Sequence, residues 1–296
     1  MPGKLYVVAT PIGNLSDMTP RAVQVLSSVD MIAAEDTRHS RVLLSHFGIK
    51  TPSFSCHKFN EEKRGHFFVS AILKGKDVAL ISDAGTPSIS DPGHRLVDMV
   101  AKAGGQVVAI CGANAAAAAL SVSAFDVSTY IFLGFLPRTQ KEQAEVFLKV
   151  AEGVNCPAVF YESPLRVEKT LRWITLAYPN ADICLANDLT KKFERVYRGR
   201  ADVVLRELLE NVNYKKGEYT CVVLLNHHLP VQAADMNATQ LSLEAQLIDI
   251  MIKENCGLKQ AINLLHALQK STGKGNKKAL YAANLRLKEL FYPDNS

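Results

Sequence analysis

Over residues 4–124, short runs of β-branched and other apolar residues alternate with segments whose apolar residues recur at helical spacing. The runs predict strands at 5–9, 31–34, 78–81 and 107–110. The helical pattern predicts helices at 40–47, 63–73, 95–103 and 113–120, and one that begins at Pro20 with Thr19 as its cap. Strands separated by helices imply a parallel sheet with helices on both faces.

After residue 125 the spacing of strands and helices changes. Strand-like runs stand at 130–133, 158–161, 183–186, 194–197 and 219–225, and helical patterns at 141–151, 166–176 and 201–210. We interpret this half as a second α/β domain with a mixed sheet. The sequence therefore predicts an α/β protein with domains at 1–124 and 125–228.

The C-terminal part has a pattern of its own. Residues 229–240 lack periodicity and contain Pro230, which is typical of a linker. Apolar residues then recur at spacings of three and four over 241–254, 258–268 and 278–290, which predicts a small helical extension over 241–296. This extension holds eight Lys or Arg against five Asp or Glu, which favours an anionic partner.

The composition indicates an ordinary globular protein but does not identify its function. The 296 residues are 48% hydrophobic and 21% charged with a net charge of +5, as in ordinary globular proteins. No stretch approaches the roughly 18 consecutive apolar residues of a membrane span, and the N-terminus lacks the layout of a secretory signal. The six cysteines are scattered without a Cys-x-x-Cys pair, so we expect buried thiols and no metal site. We therefore expect a cytoplasmic protein without a membrane span.

Residues 82–93 form the most informative segment, with the sequence S-D-A-G-T-P-S-I-S-D-P-G. Two Gly, two Pro, three Ser and two Asp within twelve residues indicate a rigid polar loop rather than core packing. The segment follows a predicted buried strand, and ligands bind at the carboxyl ends of strands in open α/β sheets. We therefore expect this loop to contribute to a ligand site.

Several other predicted strands also end in polar or small residues. These segments are 7–15 (V-V-A-T-P-I-G-N-L), 31–38 (M-I-A-A-E-D-T-R), 110–116 (I-C-G-A-N-A-A), 160–166 (F-Y-E-S-P-L-R) and 185–194 (L-A-N-D-L-T-K-K-F-E). Residues 110–116 fit either a ligand or a helix packed closely through alanines, and 31–38 fit either a reacting face or a solvated cap. No Gly-x-Gly-x-x-Gly follows a predicted strand, which argues against a dinucleotide-binding dehydrogenase.

Five ordered motifs resemble those of a known family. They are T-P-I-G-N-L from Thr10, A-A-E-D-T-R from Ala33, S-D-A-G-T-P-S-I-S-D-P-G from Ser82, F-Y-E-S-P-L-R from Phe160 and K-G-E from Lys216. Over about residues 4–226 the chain resembles the tetrapyrrole-methylase-fold enzymes, and within them the bacterial group that methylates small-subunit ribosomal RNA. The helical tail is similar to that group's C-terminal extension.

The resemblance implies a homodimer of two-domain subunits, with S-adenosylmethionine held in the cleft between the domains. It also implies 2′-O-methylation of a cytidine in the decoding region of 16S rRNA. By position, the expected cofactor contacts are Pro11, Asp83, Ala84, Gly85, Ser88, Ile89, Asn114, Ala115, Tyr161, Ala186 and Gly217. Two segments depart from the family pattern: A-I-C-G-A at 109–113 replaces a Pro-Leu-Pro-Gly-Pro run, and Asn187 stands where many relatives have arginine.

The implied reaction also suggests which side chains act on the substrate. A sulfonium methyl donor supplies its own electrophile, so the protein has mainly to align the attacking oxygen. Removing the proton from a ribose hydroxyl requires a base, for which carboxylates are candidates. The residues that we expect near the reacting atoms are Glu35, Asp36 and Asp17 as bases, and Arg38 and Lys191 as phosphate ligands.

Two other functions stay open at this point. The same fold serves methylation of tetrapyrrole carbons, and a non-catalytic RNA- or nucleotide-binding module would carry similar basic clusters. The A-A-E-D-T-R segment and the basic tail favour RNA over a small macrocycle. The basic residues available to RNA are Lys58, Lys63, Arg64, Lys191, Lys192, Arg195, Arg198, Arg200, Lys274, Lys277 and Lys278.

Overall fold

The computed structural model of the chain describes residues 2–153, 155–226, 243–253, 257–271, 280, 282–283 and 285–286. Its contacts define two compact units, Met1–Val231 (unit 1) and Gln232–Ser296 (unit 2). The predicted division of unit 1 at residue 124 stays a prediction, and the predicted linker at 229–240 lies outside the described residues. Among the described residues, no helix combines the length and apolar character that crossing a membrane requires.

Unit 1 begins with a parallel sheet. Its strands are β1 (Lys4–Val8), β2 (Met31–Ala34), β3 (Ser53–Ser55), β4 (Val78–Ile81) and β5 (Gln106–Ile110). They lie in the order β3-β2-β4-β1-β5, and every neighbouring pair is parallel. All residues of β2 and β4 are buried, as expected for inner strands covered by helices on both faces. The predicted parallel sheet is thus confirmed.

Helices connect these strands and cover the two faces of the sheet. They are α1 (Pro20–Ser28), α2 (Thr37–His46), α3 (Glu61–Leu73), α4 (His94–Lys102) and α5 (Ala115–Ser121). The Thr19 side chain accepts a hydrogen bond from the backbone N–H of Ala22, and Pro20 opens α1, as predicted. Leu26 belongs to the apolar core on one face of the sheet, and Phe68 to the core on the other.

A mixed sheet follows in the same unit. Its strands are β6 (Ile131–Phe135), β7 (Ala158–Glu162), β8 (Asp182–Asn187), β9 (Arg195–Arg200) and β10 (Tyr219–Leu224). In the order β6-β7-β10-β8-β9, only the β6–β7 pair is parallel. Its helices are α6 (Gln140–Glu152), α7 (Val167–Ala177) and α8 (Ala201–Glu210). The predicted mixed sheet is confirmed.

Helix α5 joins the two halves of unit 1. Although it follows β5 of the first sheet, Ala116, Ala119 and Leu120 share a buried cluster with Val159 and Val222 of the second sheet. The alanines let the helix lie close to that sheet because they project only a methyl group. Close packing through alanines, one of the two interpretations of residues 110–116, is therefore observed.

Unit 2 is helical where it is described. Helices α9 (Leu243–Lys253) and α10 (Leu258–Ser271) bury Leu247, Ala261 and Leu265 in one cluster that also includes Leu280 and Ala283. The predicted helices at 241–254 and 258–268 are confirmed, whereas most of the predicted third helix lies outside the described residues.

The expectation that the cysteines are buried holds for four of them and fails for one. Cys56, Cys156, Cys184 and Cys221 are buried free thiols. Cys111 is exposed, because it lies in the turn after β5 rather than within the strand. Cys256 lies outside the described residues.

Candidate functional site

A cavity of about 460 Å³ lies between the polar loops that follow the strands of the first sheet and one set of strand ends in the second sheet. Its walls come from the turns after β1, β2, β4 and β5, from β6, and from the end of β7 and the start of β10. Its lining residues are Ile12, Glu35, Asp83, Ala84, Gly85, Thr86, Ile89, Ser90, Asp91, Asn114, Ala115, Phe135, Tyr161, Glu162, Ser163, Pro164, Glu218, Tyr219 and Thr220.

Hydrogen bonds hold three of these loops together. The Thr10 N–H donates to the Gly85 carbonyl at 2.9 Å, and the Gly85 N–H donates back to the Thr10 carbonyl at 3.0 Å. Gly85 adopts a φ of +80°, which favours glycine over any residue with a side chain. The Thr86 hydroxyl then donates to the Ala113 carbonyl at 3.1 Å. The turns after β1, β4 and β5 therefore form one framework.

A buried carboxylate fixes the far end of the 82–93 loop. Helix α4 begins after Gly93, which has no side chain with which to cap it. Instead, one carboxylate oxygen of Glu61 accepts hydrogen bonds from the backbone N–H groups of Gly93 and Arg95 at 3.0 Å each, and of Leu96 at 3.2 Å. Glu61 is 3% exposed, so this negative charge at a helix N-terminus is shielded from water.

The 82–93 loop touches the second sheet at β6. Gly134 lies beside an irregularity in the β6–β7 pairing and has a φ of +64°. A Cβ atom placed on it would stand 3.0 Å from the Ser90 hydroxyl oxygen. The glycine therefore allows close approach of the loop, and the Phe135 and Tyr161 rings next to it, 5.4 Å apart, form an aromatic wall of the cavity.

Three of the carboxylates that line the cavity, Glu35, Asp83 and Asp91, interact with one another. The Asp36 N–H donates to Asp83 at 3.2 Å, and the Asp83 N–H donates to Glu35 at 3.4 Å, so the ends of β2 and β4 hold each other in place. Burial raises the pKa of Glu35 above its ordinary value, and the charge of Asp83 adds to the rise. Burial and the charge of Glu35 raise the pKa of Asp91 to about 6.

Tyr161 is the aromatic residue among the cofactor contacts that the family resemblance implies. It lines the cavity from the end of β7 and packs edge-on against Phe132. Burial raises the pKa of its phenol, against the opposing effect of a hydrogen bond from the Ala116 backbone. The hydroxyl therefore stays protonated near neutral pH.

Most of the predicted cofactor residues lie together at the cavity. Those among its lining residues are Asp83, Ala84, Gly85, Ile89, Asn114, Ala115 and Tyr161. Pro11 and Gly217 each precede a lining residue, and Ala186 pairs with the lining residue Thr220. The Ser88 hydroxyl is instead buried against Gly93, without a hydrogen-bond partner among the described residues.

Of the predicted bases, Glu35 lines the cavity and the other two do not. Asp36 caps α2 by accepting from the Arg38 N–H at 2.8 Å, and its carboxylate also pairs with the Arg38 guanidinium at 2.7 Å. These hydrogen bonds hold the pKa of Asp36 well below its usual value. Asp17 ends a short, exposed 3₁₀-helix, Leu15–Asp17.

Lys191, predicted to hold a phosphate, is engaged within the protein. Its Nζ lies 3.0 Å from a carboxylate oxygen of Glu218 and 3.2 Å from one of Asp188. Its aliphatic stem covers Gly13 in the turn after β1. Lys191 therefore links the two halves of unit 1 beside the cavity.

Many of the lining residues are not among those predicted from the sequence. Thr86, Ser90 and Asp91 belong to the 82–93 motif, and Glu162, Ser163 and Glu218 to the F-Y-E-S-P-L-R and K-G-E motifs, so their motifs marked the place without identifying them. Phe135 and Thr220 had no such signal. At the departure from the family pattern, the buried Asn187 donates its amide to the Glu218 carbonyl at 3.3 Å.

Comparison with known proteins agrees with the fold. A family model described as Tetrapyrrole (Corrin/Porphyrin) Methylases matches residues 4–204. A solved cobalt precorrin-4 methyltransferase is 15% identical, with a TM-score of 0.55, over 74% of this chain and 94% of its own. At that identity the likeness shows the fold alone.

Two bacterial relatives are much more similar in sequence. The ribosomal RNA small subunit methyltransferase I of Vibrio cholerae is 40% identical over 271 residues, which cover 90% of this chain and 91% of its own. The protein of the same name from Haemophilus influenzae is 45% identical over 223 residues, 75% of this chain and 78% of its own.

Proposed function

Because the chain belongs to the tetrapyrrole methylase family, and within it to the ribosomal RNA small subunit methyltransferases I, we propose that it methylates 16S rRNA, using S-adenosylmethionine, on the 2′-hydroxyl of a cytidine in the decoding region. The observation that carries the proposal is the 40% identity to a protein of that name over 90% of the chain. The relatives' names favour RNA over a tetrapyrrole as the substrate.

The cavity suits S-adenosylmethionine in size and charge. A volume of about 460 Å³ is in the range of small-ligand sites. Tyr161 and Phe135 offer apolar surface, while the carboxylates of Glu35, Asp83 and Asp91 complement a positive charge. When bound, S-adenosylmethionine supplies an electrophilic methyl group on a positively charged sulfur.

We assign binding of this cofactor to the linked loops of unit 1. The hydrogen bonds among Thr10, Gly85 and Thr86 fix the loops before any ligand arrives, so little ordering cost remains for binding. The proposed contacts are Asp83, Ala84, Gly85, Ile89, Asn114, Ala115 and Tyr161 on the cavity wall, with Pro11, Ser88, Ala186 and Gly217 supporting them.

Glu35 is the best placed of the predicted bases to accept the proton of the ribose hydroxyl. It lines the cavity, whereas Asp36 is occupied by Arg38 and Asp17 lies outside the lining. Burial and neighbouring charge raise its pKa, which brings a carboxylate base closer to working pH. The neighbouring charges that raise the pKa of Glu35 are those of Asp83 and Asp36. General-base assistance of this kind contributes roughly 10²–10⁴-fold to rate.

The family resemblance also supports a homodimer and a cytoplasmic location, where ribosomal RNA is found. Analytical ultracentrifugation of the purified chain tests the dimer, and a single monomeric species would contradict it.

Arg38 follows the proposed base by three residues, and its side chain is 87% exposed, so it can reach a substrate phosphate at the cost of its pair with Asp36.

Methyl transfer by the purified protein tests the proposed function. Labelled S-adenosylmethionine is incubated with small ribosomal subunits from cells that lack this protein, and in parallel with a porphyrin precursor. We expect label on 16S rRNA alone. Label on the macrocycle, or S-adenosylmethionine binding without any transfer to RNA, would contradict the proposal.

A further inference from the structure

A second cavity, of about 270 Å³, lies at the same strand ends of the mixed sheet as the first. We call it the Phe193 pocket. Its lining includes Asn187, Phe193, Arg195, Asn211 and Lys216. The sheet register places Glu162, Tyr219, Asn187 and Arg195 in one row across these strand ends. Because Tyr219 lines the first cavity, two strand spacings of about 4.8 Å separate the wall of that cavity from Arg195.

A wall of engaged charges divides the two cavities. The Asp188 carboxylate accepts from the Glu218 N–H at 3.2 Å and pairs with Lys191. Asp188 shares Lys191 with the Glu218 carboxylate, and the two cations of the pocket, Arg195 and Lys216, outnumber it, so its presence in the lining does not prevent an anion from binding there. The Phe193 pocket is thus a neighbour of the first cavity and not part of it.

Two cations of the pocket are free to bind an anion. Among the described residues, neither Arg195 nor Lys216 has an ion pair or a side-chain hydrogen bond. Other cations of the same segment are engaged: Arg198 donates to the Val122 carbonyl at 2.7 Å, and Arg200 donates to the Pro179 carbonyl. Within the basic cluster at 191–200, Arg198 and Arg200 therefore stabilise the fold, whereas Arg195 is available to bind a ligand.

The backbone holds these two cations in place. Arg195 opens β9 and pairs in register with Asn187. Lys216 ends a turn in which its own N–H donates to the Asn213 carbonyl at 2.9 Å. The Asn211 side chain supports that turn by accepting from the Asn213 N–H at 3.1 Å. Fixed positions lower the ordering cost of binding.

Phe193 offers an aromatic face beside these cations. Its exposed fraction is 74%, although the loop that carries it is well fixed. The Thr190 N–H donates to the Glu194 carboxylate at 2.5 Å, and the Glu194 N–H donates to the Lys191 carbonyl at 3.1 Å. Lys192 lies 5.6 Å from the centre of the Phe193 ring. A fixed, exposed aromatic ring among cations is the arrangement on which unpaired bases stack.

We propose that the Phe193 pocket binds the single-stranded RNA next to the methylated nucleotide, with a phosphate between Arg195 and Lys216 and a base on the Phe193 ring. This inference rests on the proposed function, because it takes ribosomal RNA to be the substrate. The pocket sets the register of the strand while the neighbouring cavity receives the target ribose.

Binding to small ribosomal subunits, measured by co-sedimentation, tests the proposal independently of catalysis. The variants are Phe193→Ala, Arg195→Ala and Lys216→Ala, with Arg206→Ala on the exposed face of α8 as control. We expect Phe193→Ala to weaken binding roughly tenfold. Arg195→Ala should lower the salt slope of binding by about 1, and Arg195→Lys should restore it. The control should bind like the unaltered protein.

Further measurements separate the outcomes. Methyl transfer by the same variants should show a raised KM for subunits with an unchanged kcat and unchanged S-adenosylmethionine affinity. Subunit binding equal to that of the unaltered protein would overturn the pocket, as would a change in oligomeric state, which would make this face an interface between copies. If the unaltered protein binds subunits through these residues but transfers no methyl group, the proposed function fails while the pocket stands.

Discussion

At the scale of single residues, the cavity brings several carboxyl groups close together in a partly buried place. Glu35, Asp83 and Asp91 share one wall, and burial raises the pKa values of Glu35 and Asp91. Like charges and partial burial both favour the protonated form of a carboxyl group. The proposed roles of the site, a base beside a positively charged cofactor, would both use these carboxyl groups.

Replacing Glu35 tests its assignment as the base. Glu35→Gln keeps the shape of the side chain and a carbonyl oxygen for the Asp83 N–H, but removes the basic group. We expect kcat to fall by roughly 10²-fold or more, with little change in S-adenosylmethionine affinity measured by calorimetry. Asp36→Asn should have the smaller effect on kcat, since Asp36 is outside the cavity lining. A larger loss in Asp36→Asn would transfer the role to Asp36.

Stability against pH tests the electrostatics of Asp91. The folded protein holds a proton on Asp91 up to a pKa of about 6, above the ordinary 3.8, so stability falls as pH rises through this window. Asp91→Asn removes the charge, so its Tm should exceed that of the unaltered protein at pH 8, with a smaller difference at pH 5. Asp98→Asn, an exposed pair member on α4, is the control and should show no such trend. A Tm advantage that is the same at both pH values would contradict the assignment.

At the residue scale, the sequence indicates the position of the site where a motif is unusual. The 82–93 segment stands out through its density of Gly, Pro, Ser and Asp, and Asp83 to Gly85 line the cavity, while their contact with a cofactor stays a prediction. Asp91 lies in the same motif, yet the sequence does not show which carboxylate of a loop turns inward. Phe135 could not be predicted from the sequence, because its position at the cavity depends on how β6 packs against the 82–93 loop.

At the scale of elements, Glu61 fixes the C-terminal end of the 82–93 loop by capping α4. Glu61→Gln should lower the free energy of unfolding by about 1.5–3 kcal/mol, because three backbone N–H groups lose a charged acceptor. Urea denaturation measures this value. Glu62→Gln is the matched control: its side chain is 79% exposed, so its change should stay within about 0.5 kcal/mol. Equal losses in the two variants would refute the capping role.

The close approach at Gly134 gives a second prediction for an element. Gly134→Ala and Gly48→Ala both place a side chain at positive φ, +64° and +67°, and each should lose about 1–2 kcal/mol of stability. Only at Gly134 would the new Cβ meet a neighbour, the Ser90 hydroxyl at 3.0 Å. We therefore expect S-adenosylmethionine affinity, measured by calorimetry, to weaken in Gly134→Ala alone. A matching loss in Gly48→Ala would show that the Ser90 contact is irrelevant to binding.

The elements themselves could largely be predicted from the sequence. Strands at 31–34 and 78–81 were predicted with their observed bounds, because they are short apolar runs bounded by polar residues. Strand β3, Ser53–Ser55, was missed since three residues of S-F-S carry no pattern. Helix α2 begins three residues before its predicted start at 40, because Asp36 caps it and the polar first turn, T-R-H, carries no apolar signal.

At the scale of the whole molecule, function depends on bringing remote segments to one place. Local patterns predicted two sheets, but not the strand orders β3-β2-β4-β1-β5 and β6-β7-β10-β8-β9, which depend on contacts across the chain. The cavity needs the turns after β1, β2, β4 and β5 beside the strand ends of β6, β7 and β10. The resemblance to a known family supplied this arrangement where periodicity could not.

Mass spectrometry of 16S rRNA from cells with and without this protein is the decisive test of the proposed reaction. We expect deletion to remove one ribose methyl group, on a cytidine of the decoding region. The unaltered gene should restore this group, and the Glu35→Gln form should restore little of it. An identical set of ribose methyl groups in the two strains would show that the protein does not methylate 16S rRNA in the cell.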